Sequence, residues 1–378
     1  MAEIAATPGP PREPALPALP PGESTAPSRR RRARKGPGRR PASGPGTLPR
    51  RLGRGFLMVI RTLRTNPLSL AGFVIVVILV IAAVVIWFDP GILPYAPLSA
   101  DYSAGGQGPS WAHPCGTDTL GRDICVNVAA ALPTDLAIGV MIAGASLLFG
   151  GTLGVVAGYY NRPRSLGEVS STVILRVTDL FLAFPALLLA LAFVVALGHG
   201  LYQVVLAVFL TWWPYYVRLA RGEVLTVKNQ LYISAARAAG VPERRIVVRH
   251  VLRNILEPLL VYFTLDVGTV IVTFSTVAFV TGALPYPFAS TIEWGAMISF
   301  YEPLVTTQPW TILFPSLAIL VTVLAFSLLG DGLRDILDPR SRRVIVQAAV
   351  VSRVGMGGLT PLSNPDEDAE MSVEESPS

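Results

Sequence analysis

The sequence predicts an all-α, polytopic membrane protein with six transmembrane helices. Hydrophobic residues make up 51% of the 378 residues and charged residues only 15%, against about 25% in soluble domains. Six apolar segments, each close to the length of a spanning helix, follow one another along the chain. A soluble protein is not expected to bury six such segments, so the shortage of charge indicates a surface that faces lipid.

The boundaries of the spans follow from the apolar runs. A bilayer core about 30 Å thick needs about 20 helical residues. Runs of this kind predict spans at residues 67–88, 136–158, 172–197, 201–217, 259–282 and 309–329. The fourth run is the shortest, and Pro214 within it predicts a kink, as Pro185 does near the start of the third.

The Lys and Arg residues predict the orientation. If the N-terminus is cytoplasmic, the inner segments 1–66, 159–179, 218–258 and 330–378 hold 14, 3, 8 and 5 of these residues, which is 30 of 31. Only Arg122 then lies outside. Basic residues concentrate on the cytoplasmic side of membrane proteins, so we expect both termini in the cytoplasm. The net charge of +6 is therefore local, which argues against a nucleic-acid-binding face.

Two polar tails flank the predicted transmembrane domain, which covers residues 56–340 with a cytoplasmic loop at 218–256. Residues 1–55 are rich in Pro, Gly, Ala and Arg, and residues 341–378 end in an acidic cluster. Neither tail has enough apolar surface to offset the entropy of ordering, so we expect both to be disordered. The run Arg29-Arg30-Arg31-Arg32 either contacts anionic lipid headgroups or is solvated and only fixes orientation.

The loop between the fourth and fifth spans has a helix–Gly–helix pattern. Residues 230–239 predict a short helix, and four apolar residues share one of its faces: Leu231, Tyr232, Ala235 and Ala239. Gly240 ends that helix, and Pro242 opens a second one with an apolar stripe and a basic stripe that includes Arg244 and Arg245. The hairpin either binds a soluble partner or lies flat on the inner leaflet, and the residues alone leave both alternatives open.

The chain lacks the parts of a catalytic site. A phosphate-binding loop needs Gly, Lys and Ser or Thr in series, but Lys35 is followed by Gly and Lys228 by Asn. We therefore predict no catalysis and no bound cofactor. We also predict no metal, because His113, His199 and His250 lie on separate segments.

Two cysteines, Cys115 and Cys125, lie on one polar segment. They either form a disulfide on the oxidising outer face or serve as two small apolar side chains, and we favour the second alternative. Zinc held by this pair and His113 would lack a fourth ligand. In the second span, Gly150, Gly154 and Gly158 recur every four residues, which predicts a stripe for close helix packing.

Four blocks of sequence resemble the C-type permease subunit of bacterial dipeptide/oligopeptide ABC importers. That family carries Glu-Ala-Ala, three residues, Gly and a later Leu-Pro in its cytoplasmic loop. Here the matching residues are Ser234, Ala235, Ala236, Gly240, His250, Val251 and Leu252, with Ser234 in place of Glu and Arg253 in place of Pro. Asn66-Pro67-Leu68 matches the entry to the first span, and residues 328–340 match the C-terminal ending.

The fourth block resembles the family's external HP-x-GTD-x-x-GRD segment. Its matching residues are His113, Pro114, Gly116, Thr117, Asp118, Gly121, Arg122 and Asp123. The outer loop 283–308, with a short apolar piece around Trp294 and Gly295, is by resemblance expected to meet a binding protein or to gate the pathway. The alternative is an interfacial anchor with Trp294 at headgroup depth.

The resemblance implies an ABC type I importer permease fold in a bacterial cytoplasmic (inner) membrane. It further implies four kinds of partner: a second permease, two cytoplasmic ATPase subunits that bind ATP and Mg²⁺, an extracytoplasmic binding protein and a peptide substrate. The first helix of the loop, Leu231 through Gly240, would dock in a groove of the ATPase. Similar permeases carry nickel chelates, glutathione, haem-like compounds or sugars, so the cargo stays open.

Two carboxylates lie nearest to the membrane interior, where charges are costly and often functional. We expect Asp179 to pair with Arg176, one helix turn away. Asp266 lines the pathway with Trp212 and Trp213 and receives a peptide's amino terminus, or it makes an inter-helix hydrogen bond, which we favour. A proton-coupled secondary carrier that uses Asp179 or Asp266 is the competing function, but it does not explain the basic hairpin.

Overall fold

The computed structural model describes residues 67–161, 166–282 and 291–337, which belong to one compact unit and fold as helices joined by turns. The helices are α1 (Pro67–Phe88), α2 (Ile124–Tyr159), α3 (Leu166–Leu182), α4 (Ala186–Leu197), α5 (Leu201–Lys228), α6 (Leu231–Ala238), α7 (Glu243–Ile246), α8 (Leu252–Thr281), α9 (Trp294–Tyr301) and α10 (Trp310–Leu337). In these ranges the only β pairing is an isolated bridge between Thr117 and Asp123. The all-α class is confirmed.

Some predicted features lie outside the described residues. These are the two tails, Asn66 and the last part of the family-like ending, residues 338–340.

Four helices are long and apolar enough to cross a membrane: α1, α2, α10 and a continuous helix, Glu243–Thr281, that contains α7 and α8. The helices α3 and α4 would together make a fifth span. The predicted fourth span is part of α5, which is helical over 28 residues but less apolar than the others because it carries tryptophans, tyrosines and, near its end, charges. The count of six spans therefore stays a prediction.

The third predicted span is broken in the middle. The helices α3 and α4 meet at a bend of 90°, and Pro185 stands immediately before α4 as its N-cap. A proline ring removes a backbone donor and disfavours helical backbone in the residue before it. The sequence predicted a kink at this proline, whereas in the structure the helix is interrupted there and its two halves meet at 90°.

Close packing of α2 on α5 is the most extensive helix contact among the described residues. The three glycines of the predicted stripe lie on it. A Cβ atom on Gly154 would lie 2.6 Å from the Val217 carbonyl oxygen, and one on Gly150 would overlap the Trp213 carbonyl oxygen. Only glycine allows the two backbones to approach this closely.

The bundle has two ends, which we name after a residue at each. At the Cys115 end, the segment 89–123 lies beside α9. At the Gly240 end, the hairpin formed by α6 and α7 packs under the ends of α2 and α5. A hydrophobic cluster holds it there, with these buried members: Tyr159, Ala220, Val224, Ile233, Ile246, Val251, Ile255 and Leu259.

Candidate functional site

The hairpin at the Gly240 end is a compact two-helix element. Gly240 has a φ of +75°, a left-handed conformation that favours glycine. The chain reverses there, and the Val241 amide donates to the Ala236 carbonyl oxygen at 3.1 Å. Pro242 then caps α7. The predicted turn residues thus lie at the turn.

The face of α6 that the sequence marked as apolar points away from the protein. Leu231 is 88% exposed and Tyr232 is 43% exposed, whereas Ile233 is fully buried. Ser234, Ala235 and Ala239 are also exposed. The hydrophobic anchor of α6 is therefore Ile233, which the sequence analysis missed, and the predicted apolar face is left open at the surface.

A group of polar contacts around Tyr159 ties the hairpin to the spans; we call it the Tyr159 cluster. The Tyr159 hydroxyl donates to the Glu243 carboxylate, and Arg237 donates to that hydroxyl at 3.4 Å. Arg237 also lies 3.4 Å from Glu243. From α5, the Lys228 ammonium donates to the Tyr159 carbonyl oxygen at 2.8 Å. The ends of α2 and α5 and both hairpin helices therefore meet at one tyrosine.

The Tyr159 cluster keeps its positive charge. The hydrogen bond to Tyr159 raises the pKa of the Arg237 guanidinium above its already high ordinary value. The Lys228 ammonium and the Arg237 guanidinium each lie 5.7 Å from the centre of the Tyr159 ring, within the range of cation–π attraction.

The basic stripe of the hairpin is solvent-facing. Four arginines line one open cavity there together with Pro242 and Val248: Arg244, Arg245, Arg249 and Arg253. On the other side, His250 lies against the Tyr232 ring at 6.4 Å between centres. Asn254 donates to the Tyr232 hydroxyl at 3.1 Å. These contacts lie on the side of the hairpin away from the four arginines, which stay open to an anionic surface.

No break separates the hairpin from the span that follows. A single π turn, Val247–Val251, joins α7 to α8, and the whole stretch Glu243–Thr281 is 39 residues of continuous helix. Arg253 lies where the family pattern has a proline. The structure has helical backbone through Arg253.

The family-like segment at the Cys115 end is mostly buried. Thr117 and Asp118 have no exposed surface, and Arg122 and Asp123 are 5% and 6% exposed. Asp118 accepts from the Arg122 amide at 2.8 Å and from the Tyr301 hydroxyl at 3.1 Å. These side chains therefore shape the scaffold under α9 and are not available for contact with a partner.

The remaining residues of this segment serve the same scaffold. His113 lies 2.8 Å from Asp123, and Asp123 also caps α2 by accepting from the Val126 amide. Gly121, with a φ of +75°, lies so close to the Asp101 backbone that a side chain would overlap it. Gly116 likewise leaves room for the ring of Trp310, and Pro114 precedes the disulfide.

Cys115 and Cys125 form a disulfide, with 5.2 Å between their Cα atoms. The alternative that we favoured from the sequence, two small apolar side chains, is wrong. The bond also excludes the two sulfurs as zinc ligands. It joins the buried segment to the first turn of α2.

The helix α9 is wedged into the protein at the Cys115 end. Trp294 is 1% exposed, its amide donates to Asp135 at 3.1 Å and its indole donates to the Val128 carbonyl oxygen at 2.9 Å. A side chain on Gly295 would overlap the Ser275 backbone of α8. The alternative of an interfacial anchor at headgroup depth is therefore wrong, because the ring of Trp294 is enclosed by protein.

Asp266 lies in the middle of α8 and bonds to α5. The Trp212 indole donates to its carboxylate at 2.6 Å, which is the inter-helix hydrogen bond that we favoured. A cavity of about 140 Å³ opens beside it, lined by Tyr215, Tyr216, Leu219, Tyr262, Leu265, Asp266 and Thr269. Trp213 packs instead against Phe149 and Phe181.

Asp179 has a different partner from the one predicted. Its carboxylate lies 2.8 Å from the guanidinium of Arg218 on α5, with both side chains about half exposed. Arg176 was the nearest cation in the sequence, but the tertiary contact between α3 and α5 supplies Arg218. The structure brings Asp179 and Asp266 into no shared site among the described residues.

Two family models match this chain. Residues 150–343 match the model for the binding-protein-dependent transport system inner membrane component. Residues 56–109 match the model for the N-terminal transmembrane domain of oligopeptide transport permease C.

Individual relatives cover most of the chain. The dipeptide transport system permease protein DppC of Alkalihalophilus pseudofirmus is 35% identical over 75% of this chain and 89% of the relative. The glutathione transport system permease protein GsiD of Pectobacterium atrosepticum is 38% identical over 74% of this chain and 89% of the relative. Among solved structures, the inward-facing MetNI methionine ABC transporter matches 54% of this chain and 93% of that chain, with 18% identity and a TM-score of 0.44.

Proposed function

This chain belongs to the family of binding-protein-dependent transport system inner membrane components, among the C-type permeases of dipeptide and oligopeptide importers, and we propose that it forms half of the pathway of an ATP-driven peptide importer. As a permease it is a non-catalytic membrane component. In this family, ATP and Mg²⁺ are bound by partner ATPases. The observation that carries the proposal is the exposed apolar face of α6 on a hairpin built into the ends of three spans.

We propose that the Gly240 end faces the cytoplasm. The distribution of Lys and Arg supports this orientation, since 30 of 31 lie in the segments assigned to that side. The exception, Arg122, lies 3.8 Å from Asp118 and is buried, so it does not act as a free charge at the membrane surface. Both termini and the basic stripe then lie in the cytoplasm.

The face of α6 has the properties of a docking surface for an ATPase. A leucine with 88% of its surface exposed gains about 1.5–3 kcal/mol when a partner covers it. The arginines on α7 lie beside it and complement an acidic rim. The anchor Ile233 and the Tyr159 cluster hold the face to the spans, so that a force applied there reaches the pathway.

Replacement of Leu231 tests this assignment. We expect Leu231→Asp to weaken co-purification with the cognate ATPase subunits about thirtyfold, because it removes about 2 kcal/mol of apolar contact. Leu166→Asp is the matched control, since Leu166 is 89% exposed and lies at the start of α3, outside the hairpin. Equal retention of the ATPases by both variants would remove α6 from the coupling role.

We propose that the binding protein docks on the exposed part of the Cys115 end. The buried HP-x-GTD-x-x-GRD residues hold that surface in place, while Trp111 and Tyr102 project from it, the first fully exposed and the second 78% exposed. Aromatic residues of this kind are enriched where proteins meet. A second permease completes the pathway along the remaining open faces of the spans.

Asp266 and the cavity beside it are proposed to line the pathway. Tyr215 and Tyr262 are about half exposed, and a polar patch of this kind at mid-helix is costly against lipid. It therefore faces the second permease or a water-filled path. The cavity of about 140 Å³ holds a charged head group rather than a whole peptide, and a carboxylate beside tyrosine rings suits an ammonium group.

Uptake of blocked peptides tests the role of Asp266. In reconstituted vesicles, we expect the unmodified importer to prefer a dipeptide over its N-acetylated form, because acetylation removes the ammonium charge. Asp266→Asn should reduce that preference about tenfold, which corresponds to about 1.4 kcal/mol. The exposed residue Asp331 provides the control variant Asp331→Asn. An unchanged preference in Asp266→Asn would place peptide selection elsewhere, with the binding protein as the alternative.

Glutathione is the second candidate cargo, because a relative named as a glutathione permease is 38% identical to this chain. It also carries a free ammonium group. Competition of glutathione against a dipeptide in the same vesicles separates the two cargoes.

A further inference from the structure

Two acidic side chains are enclosed where α9 packs between α2 and α8, a region that we call the wedge. Asp135 is 1% exposed and Glu293 has no exposed surface. Both bond to the first turn of α9: Asp135 accepts from the Trp294 amide, and Glu293 accepts from the Gly295 and Ala296 amides. The two carboxyl groups are close enough to interact electrostatically. The function proposed above uses neither of them.

No cation among the described residues neutralises this pair. The elements packed on α9 are α2, α8, α10 and the turn Glu302–Leu304. Their charges near the wedge are otherwise engaged: Asp123 lies against His113, and Arg122 lies against Asp118. Glu302 is exposed. The stretches of α8 beyond Asp266 and of α10 before Asp331 contain no ionisable side chain.

The hydrogen bonds of the two acids are unequal. Glu293 receives two backbone N–H groups at a helix N-terminus, which stabilises a negative charge. Asp135 receives one, and its Oδ1 atom is buried without a hydrogen-bond partner in the described part of the chain. An ionised Asp135 would leave that oxygen bare, whereas a proton on it supplies a donor inside the wedge.

We propose that Asp135 and Glu293 form a proton-binding site, and that release of a proton from Glu293 loosens α9 from α2. Asp135 keeps its proton, because two charges in this closed space would repel each other. When both acids are neutral, α9 is held by Trp294 and Gly295. When Glu293 ionises, an unpaired buried charge weakens the docked position.

The sign of the pH effect follows from burial. Burial raises the pKa of Glu293 from 4.5 to about 7. A group whose pKa is higher in the docked than in the open state favours docking at low pH. The contribution is complete below about pH 4.5 and is lost as the pH rises through about 7. On the proposed orientation, the extracytoplasmic medium sets this pH.

Infrared difference spectra of the purified full chain test the site without any transport. Between about pH 5.5 and about pH 9, exposed carboxyl groups are already ionised, so a lost carboxylic-acid band reports a buried acid. We expect this loss with a midpoint near neutral pH, its absence in Glu293→Gln and its retention in the control Glu302→Gln. In Asp135→Asn we expect an unchanged midpoint, because the amide is uncharged like the protonated acid that it replaces.

Oxidation of methionines by hydrogen peroxide reports the movement of α9. Met297 lies on α9 with no exposed surface, and Met141 is 52% exposed and serves as the internal reference. Over the same pH range, Met297 oxidation relative to Met141 should rise about thirtyfold, because the pKa of Glu293 is about 7 in the docked state and 4.5 when exposed, and this difference sets the shift of the docking equilibrium. It should stay flat in Glu293→Gln.

These measurements decide between clear outcomes. No carboxylic-acid band in the unmodified protein, or the same band loss in Glu293→Gln as in Glu302→Gln, overturns the site. A clearly lower midpoint in Asp135→Asn would mean that Asp135 is charged in the unmodified protein and overturns the assignment of the retained proton to it. A flat Met297 ratio in the unmodified protein overturns the link to α9 even if Glu293→Gln does not fold. Loss of ATPase binding or of peptide uptake bears on the proposed function and not on this site.

Discussion

Gly154→Leu is expected to prevent the chain from folding, and Gly154→Ala to destabilise it by about 1–3 kcal/mol, the usual cost of forcing an extra group into a packed contact. A Cβ atom at this position would lie 2.6 Å from the Val217 carbonyl oxygen and 2.8 Å from the Ala220 Cβ atom. Both neighbours belong to α5 and cannot rotate away, so the two helices must separate. The measurement is the thermal midpoint in detergent, followed by fluorescence-detected gel filtration.

Gly144→Ala is the control for this experiment, because Gly144 lies on the same helix and has ordinary room for a Cβ atom, 3.8 Å from the Phe263 ring. Alanine is the better helix former by about 1 kcal/mol, so this variant should be at least as stable as the unmodified chain. Equal midpoints for the two alanine variants would mean that α2 and α5 are not held by close backbone contact.

Glu243→Ala is expected to uncouple transport from ATP hydrolysis. Glu243 accepts a hydrogen bond from Tyr159 and lies 3.4 Å from Arg237. A hydrogen bond to a charged group contributes about 1.5–3 kcal/mol, whereas the half-exposed ion pair adds little. Loss of about 2 kcal/mol lowers the ratio of docked to undocked hairpin about thirtyfold, while the face around Leu231 stays intact.

The variant should therefore retain its ATPases on co-purification and lose most of its peptide uptake per ATP hydrolysed. Uptake and hydrolysis are measured together in vesicles that contain the complete complex. Glu243→Gln keeps an acceptor for the Tyr159 hydroxyl, so its peptide uptake per ATP hydrolysed should lie between that of the unmodified protein and that of Glu243→Ala. Glu257→Ala, an exposed acid on α8, is the control. Normal uptake by Glu243→Ala would show that the Tyr159 cluster does not transmit force.

Features that depend on local sequence were predictable. Apolar runs marked the first span at its observed bounds, Pro67–Phe88. Pro185 marked the break of the third, and Gly240 marked the turn of the hairpin, because proline and glycine restrict or free the backbone whatever the surroundings. The glycine spacing in α2 indicated a contact stripe, although it did not identify α5 as the neighbour.

Features that depend on contacts between distant residues were not predictable. Asp179 meets Arg218 rather than the adjacent Arg176, and Tyr159 meets Glu243, 84 residues away. Asp135 meets the Trp294 amide, 159 residues away. No periodicity of a single helix encodes such distances. The sequence also did not identify the residue that anchors α6. Only the packed structure shows that this residue is Ile233, which is fully buried.

The unbroken helix Glu243–Thr281 has a mechanical consequence. At 1.5 Å per residue, its 39 residues measure about 58 Å, so a tilt of about 5° about its middle displaces each tip by about 2.5 Å in opposite directions. A rigid helix of this length couples its two ends, so a displacement of either end moves the other. With the coupling proposed above, a nucleotide state of the partner ATPase that changes the affinity for cargo near Gly282 is itself favoured or disfavoured by that cargo, by the same coupling free energy.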